Sequence, residues 1–243
     1  MEAIVIRNLT YRYPRGQLAL DAVTIDVAAG ECVGVVGPNG AGKTTLFLCL
    51  SGVLRAAAGT ITLNGLDPAR PEQRLLLPAK VGMIFQNPDD QLFNATVFDD
   101  VAFGPLNLGL TPAEVRERVG EALASVSMAG MEERVPLHLS GGEKRRVALA
   151  GVLAMQPEVL LMDEPSMFLD PRGRREFIGL INQLGITKLI ASHDLEMILQ
   201  TCQRAVLLDG GRIMADGPVR ELLADAELMV KHGLEVPWSL RGA

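Results

Sequence analysis

The nine residues 37–45, "GPNGAGKTT", constrain this chain more than any other stretch. They fit G-x-x-x-x-G-K-[ST], a loop that wraps phosphate in backbone N–H groups. Gly37, Gly40 and Gly42, with Pro38, Asn39 and Ala41 between them, supply the close backbone approach. Lys43 reaches the outer phosphate oxygens, Thr44 offers a hydroxyl to Mg²⁺, and Thr45 follows in the helix. Such a loop needs a strand before it and a helix after it. "ECVGVVG" reads as a buried strand, and "TTLFLCLSGVL" has helical spacing.

The surrounding pattern extends this start. "AIVIRN", "VTIDV" and "TITLN" read as strands near the beginning. Buried strands follow at "KVGMIFQ", "EVLLMDE" and "TKLIASHD", and "AVLLDGGRIMADG" reads as a hairpin turning at Asp209-Gly210-Gly211. Continuous apolar strands spaced by helices predict a parallel sheet covered on both faces. From about Asn87 to Gln156 strand signals vanish. "TPAEVRERVGEALASVSMAG" opens with Thr111 as N-cap, Pro112 at the first helical position and Glu114 three residues on, so this region is expected to be a helical insert. At 243 residues and 48% hydrophobic content, the chain can bury one large core with such an insert.

Three strand ends carry carboxylates or another polar side chain. "VLLMDE" is four apolar residues followed by Asp163, placed to hold Mg²⁺, and Glu164, placed to polarise an attacking water. Gln86 and His193 also close strands. Alone, each would be read as a solvated or structural residue. Side by side, the carboxyl ends of parallel strands open on one crevice, where Gly37, Gln86, Asp163 and His193 converge. A second anion-binding element is unexpected: "LSGGEKRRVALA" starts a helix with Ser140 as cap, Gly141, Gly142, and Glu143 completing a capping box.

Other classes are disfavoured. A net charge of −6 gives no basic surface for nucleic acid. Cys32, Cys49 and Cys202 lack metal-ligand spacing and read as buried thiols. His138, His193 and His232 look isolated. The sequence shows no signal segment, and no apolar run reaches the roughly 18 residues of a membrane span.

With these motifs in view, the chain resembles the ATP-binding-cassette ATPases over nearly its whole length. "GPNGAGKTT", Gln86, "LSGGE", "VLLMDEP", "SMFLDP" and "SHD" come in that family's order. The resemblance implies a P-loop NTPase (RecA-like) α/β core with a mostly parallel sheet, an N-terminal antiparallel β subdomain and an α-helical insert. The core would comprise residues 1–86 and 158–220, the insert 87–157 and a tail 221–243. It implies a head-to-tail dimer, in which each ATP lies between the phosphate loop of one subunit and Ser140, Gly141, Gly142 and Glu143 of the other. It further implies that Tyr13 stacks on adenine, that Gln86 touches Mg²⁺ with Thr44 and Asp163, and that Glu164, His193 and Lys43 are catalytic. Asp170 would communicate across the dimer. "SMFLD" departs from the family by placing Met167 and Phe168 where small residues are usual.

The stretch after Gln86, "NPDDQLFNATVFDDVAFGPLNLGL", is similar to the ATPases of energy-coupling-factor importers, especially the cobalt and nickel type. That likeness implies docking on a transmembrane coupling subunit, with a separate membrane subunit binding the solute, through residues from about Asp89 to Phe103. Leu92, Phe93, Val97, Phe98, Val101 and Phe103 would form an apolar patch among Asp89, Asp90, Asp99 and Asp100. The expected place is the cytoplasmic face of the membrane, reached through partners. The competing expectation is a soluble cassette ATPase outside transport, which would call for a long coiled coil or paired cassettes; this sequence shows neither.

Overall fold

The computed structural model describes residues 1–241. The chain opens with long strands β1 (Glu2–Arg12) and β2 (Leu18–Ala28), then short β3 (Cys32–Val36) and helix α1 (Lys43–Leu50). β4 (Ala58–Leu63), α2 (Pro71–Arg74) and β5 (Val81–Ile84) follow. Three helices come next without a strand between them: α3 (Val97–Asn107), α4 (Pro112–Ser125) and α5 (Gly141–Leu153). β6 (Val159–Asp163), α6 (Pro171–Gln183), β7 (Thr187–Ala191) and α7 (Leu195–Thr201) lead to the hairpin β8 (Arg204–Asp209) and β9 (Arg212–Pro218). α8 (Val219–Ala224) and α9 (Ala226–Lys231) are the last α-helices among the described residues, and a 3₁₀ turn at Trp238–Leu240 follows them.

Two sheets result. β2-β1-β4 is antiparallel, and β5-β6-β7-β3-β8-β9 is parallel except for the β8–β9 hairpin. Every residue of β3, β6 and β7 is buried, as parallel strands covered on both faces require. Alternate residues then serve different cores. Val33, Val35, Leu161 and Leu189 pack with α1 and the antiparallel sheet. Cys32, Val36, Leu160, Met162 and Ile190 pack with the helices on the other face.

The expected α/β fold with its antiparallel sheet and helical insert is therefore present. α4 carries the capping box foreseen at Thr111 and Glu114. Differences are local. β1 runs on to Arg12, beyond the short apolar run that announces it, because its pairing with β2 continues to Arg12↔Leu18. β5 ends at Ile84 and β7 at Ala191, so Gln86 and His193 each lie two residues past their strands.

Strand order decides where a site can form. β3 lies between β7 and β8, while the chain leaving it travels to β5 at the far edge before returning through β6 and β7. That reversal opens a crevice at the carboxyl ends of β3, β6 and β7.

Candidate functional site

The crevice has a volume of about 610 Å³ and is lined by Asn39 to Thr45, Gln86, Asp163, Glu164, His193 and Tyr13, among others. Its floor is the turn from β3 into α1. Gly37 has φ +152°, and a Cβ there would stand 1.9 Å from the Leu208 carbonyl oxygen. Gly42, the N-cap of α1, has φ +109°, and its Cβ would meet the Ala19 carbonyl at 2.6 Å. Both positions are closed to any side chain, which is why the loop can approach a phosphate with bare backbone.

Lys43 is 7% exposed and folds back over the loop, where Nζ donates to the carbonyls of Gly37 (2.7 Å) and Pro38 (3.1 Å). Burial lowers its pKa, against the pull of Glu164 and Asp163. The Thr44 hydroxyl donates to Asp163 Oδ2 at 2.6 Å, joining the start of α1 to the end of β6. Burial raises the Asp163 carboxyl above the usual range, although the Thr44 bond works the other way. Two hard oxygen donors thus meet beside the phosphate loop. This set fits Mg²⁺, which takes one or two protein oxygens and leaves its other positions to water and phosphate. Among the described residues, no group of three or more His, Cys, Asp or Glu could cage a metal.

Glu164 adopts φ +48°, a rare conformation for a non-glycine residue, and is 7% exposed. Its carboxylate accepts from the Ser192 hydroxyl (2.9 Å) and the His193 N–H (3.0 and 3.2 Å), and lies 2.8 Å from His193 Nδ1. The end of β7 therefore orients the acid at the end of β6. Ser192, wholly buried, was not foreseen from sequence; its place beside His193 in "IASHD" is the only signal.

Tyr13 closes another side. Its hydroxyl lies 3.0 Å from Thr45 Oγ1, and its ring meets Tyr11 edge-on with centroids 5.0 Å apart. Gln86 is exposed, and its amide donates to Met167 Sδ at 2.9 Å.

The residues 140–143 do not line this crevice. Ser140 caps α5 and is exposed; Glu143 N–H donates to its hydroxyl at 3.3 Å, and the Glu143 carboxylate accepts from the Ser140 N–H at 2.8 Å and hydroxyl at 2.7 Å. Those bonds hold the Glu143 carboxyl below its ordinary pKa. Asp170 is likewise engaged locally, as the N-cap of α6, accepting from Gly173 N–H at 2.7 Å.

Two sequence expectations change. The apolar patch after Gln86 is only partly a surface. Val97 and Val101 are wholly buried, and Asp100 is 8% exposed. Asp100 turns inward because its Oδ1 accepts from the N–H groups of Phe93 and Asn94 and from the Asn94 side chain. Phe93 (63% exposed) and Phe103 (50%) remain outside as an edge-to-face pair, centroids 5.1 Å apart. They border a groove of about 570 Å³ that runs to Leu108 and Met155. His232 is not isolated: it is buried, with Nδ1 2.8 Å from Asp209. All three cysteines are buried as expected, with Cys32 and Cys202 Sγ atoms 3.5 Å apart.

Residues 20–167 match the family model described as ABC transporter. A putative ABC transporter ATP-binding protein of Synechocystis sp. is 50% identical over 98% of this chain and 83% of its own. The energy-coupling factor transporter ATP-binding protein EcfA of Methanothermobacter thermautotrophicus is 49% identical over 96% of this chain and 76% of its own. Among solved structures, cbiO1 of Clostridium perfringens, described as part of the ABC transporter complex cbiONQ, superposes with a TM-score of 0.84. It is 35% identical, over 95% of this chain and 94% of that one. The chain belongs to the ABC transporter family and is one of its ATP-binding subunits, an ATPase.

Proposed function

We propose that the chain is the motor of an energy-coupling-factor importer, in which two cassettes clasp ATP and its hydrolysis releases them. The observation that carries the reading is the division of the machinery. Lys43, Thr44, Asp163, Glu164 and His193 share one crevice, while the exposed helix start at Ser140 lies outside it. A helix N-terminus favours an anion, and a second cassette brings one.

In this reading Tyr13 stacks on adenine, and residues 37–45 wrap the phosphates. Lys43 leaves the Gly37 and Pro38 carbonyls for phosphate oxygen, where low dielectric strengthens its charge. Thr44, Asp163 and Gln86 would hold Mg²⁺, which would supply charge compensation on the phosphates when bound. Glu164 accepts a proton from the attacking water, and His193 moves from Glu164 to the γ-phosphate. The partner's Ser140, Gly141, Gly142 and Glu143 complete the site, and Asp170 links the two halves. The partner is a second copy or a related cassette. The resemblance to EcfA supports docking of a membrane coupling subunit on the Phe93–Phe103 groove, with the chain at the cytoplasmic face. The solute, a transition metal such as cobalt or a vitamin, would be bound by a separate membrane subunit.

Glu164→Gln is expected to trap ATP and hold a dimer in sizing runs with Mg-ATP, while Lys43→Ala abolishes turnover. A Glu164→Gln chain that stays monomeric would count against the clasp, and hydrolysis by Lys43→Ala would sink the site. Mild solubilisation of host membranes with the tagged chain tests the importer: a small coupling membrane protein and a solute-binding subunit are expected, and a wholly soluble partner set would refute it.

A further inference from the structure

Helix α5 carries a charge on its apolar face. Arg145 lies in line with the buried Ala148, Leu149 and Val152. It is 1% exposed and is the largest fully buried side chain among the described residues. Burial alone pushes its pKa down to about 10. A charge so deep is costly unless well bonded, and what it meets is backbone. Nη1 donates to the Phe85 carbonyl at 2.6 Å. Nη2 donates to the Gln86 carbonyl at 2.6 Å and lies 3.4 Å from that of Met167, while Nε has no partner.

Those carbonyls belong to two loops. Residues 85–86 follow β5, and Met167 lies between Glu164 and α6. The same loops meet again where the Gln86 amide donates to Met167 Sδ. Lys144, next on the helix, adds an ion pair to Asp89 at 2.7 Å. Three pieces of the molecule therefore join at one guanidinium: the helix that Ser140 caps, the Gln86 loop and the loop after Glu164.

We propose that Arg145 is a positioning residue for ATP hydrolysis, the rivet through which the Ser140 helix fixes Gln86 and the loop after Glu164. A purely packing position on this face would be filled by an apolar side chain at lower cost. The planar fork is what lets one side chain hold carbonyls on two loops at once; a lysine ammonium is a point charge and cannot. Any shift of α5 caused by a docked membrane partner then reaches both loops together. The inference rests on Gln86 and Glu164 working in the site as proposed above.

The test uses the purified full chain with Mg-ATP. It measures kcat, KM and the affinity for a fluorescent ATP analogue in Arg145→Met, Arg145→Lys, Gln86→Ala and the double variant Gln86→Ala/Arg145→Met. Loosening a loop beside the chemistry should lower kcat about ten- to a hundredfold, with nucleotide affinity retained. Arg145→Lys should fail to restore the rate, and the double variant should be no slower than the slower single one. Wild-type kcat in Arg145→Met or Arg145→Lys would overturn the proposal, as would losses that multiply in the double variant. If Arg145→Met does not fold, Arg145→Lys keeps the charge and carries the same readouts. Should Gln86→Ala itself keep full kcat, the role given to Gln86 falls and this inference with it. Should only the Arg145 variants keep it, this inference falls alone.

Discussion

At the residue scale, the proposed site would trade stability for chemistry. Asp163 is 3% exposed and its folded-state pKa is raised by burial. A raised carboxyl favours folding only while protonated, so the contribution is present below the unfolded value near 3.9 and is lost as pH rises through the folded value. At neutral pH the buried charge therefore opposes folding. Asp163→Asn, which still accepts from Thr44, is expected to raise Tm by roughly 2–4 °C if the gain is about 1 kcal/mol, while abolishing turnover. In thermal scans the gap between the two proteins should close below about pH 3.9. Equal melting at pH 7 would contradict the account. Most of the crevice's lining was legible in sequence, because Lys43, Thr44 and Asp163 sit in patterns of fixed spacing. Gln86 and His193 gained meaning only when their strands were laid side by side. Arg145 belongs to no motif, yet it stands on the stripe of Ala148, Leu149 and Val152, and that spacing is the available signal.

At the element scale, two helices begin with the same device. Thr111 and Glu114 box the start of α4, and Ser140 and Glu143 box the start of α5. Capping theory treats them alike: loss of either hydroxyl costs about 1 kcal/mol, or roughly 2–4 °C in Tm. The proposed clasp separates them. Thr111→Ala should melt earlier and hydrolyse ATP at the wild-type rate, whereas Ser140→Ala should lose about a hundredfold or more in kcat, the scale for removing a charge-stabilising donor. Equal ATPase rates in the two variants would leave α5 with capping alone. Sequence periodicity announced both helices, but it could not say that Val97 and Val101 of α3 point inward. Alternation of apolar and acidic residues there reads equally well as a surface, and only the inward turn of Asp100 onto the 93–94 backbone decides it.

At the scale of the whole molecule, the groove beside Phe93 and Phe103 shares no lining residue with the crevice around the phosphate loop. Phe103→Asp should leave ATP affinity of the isolated chain unchanged and remove membrane proteins from the co-purified set; retention of those partners would place docking elsewhere. The sheet order has another consequence. Cys32 in β3 pairs with Lys188 in β7, and Val33 with Arg204 in β8. On the ribosome, the strand that ends in the phosphate loop is made early and waits for both of its neighbours until β8 has emerged. At 5–20 residues per second that delay is on the order of ten seconds, and non-local parallel pairing closes slowly even then. Through that interval Val33, Val35 and Val36 have no sheet to enter. Those valines wait unpaired until the last strands are made, and the phosphate loop gains its full support only near the end of synthesis.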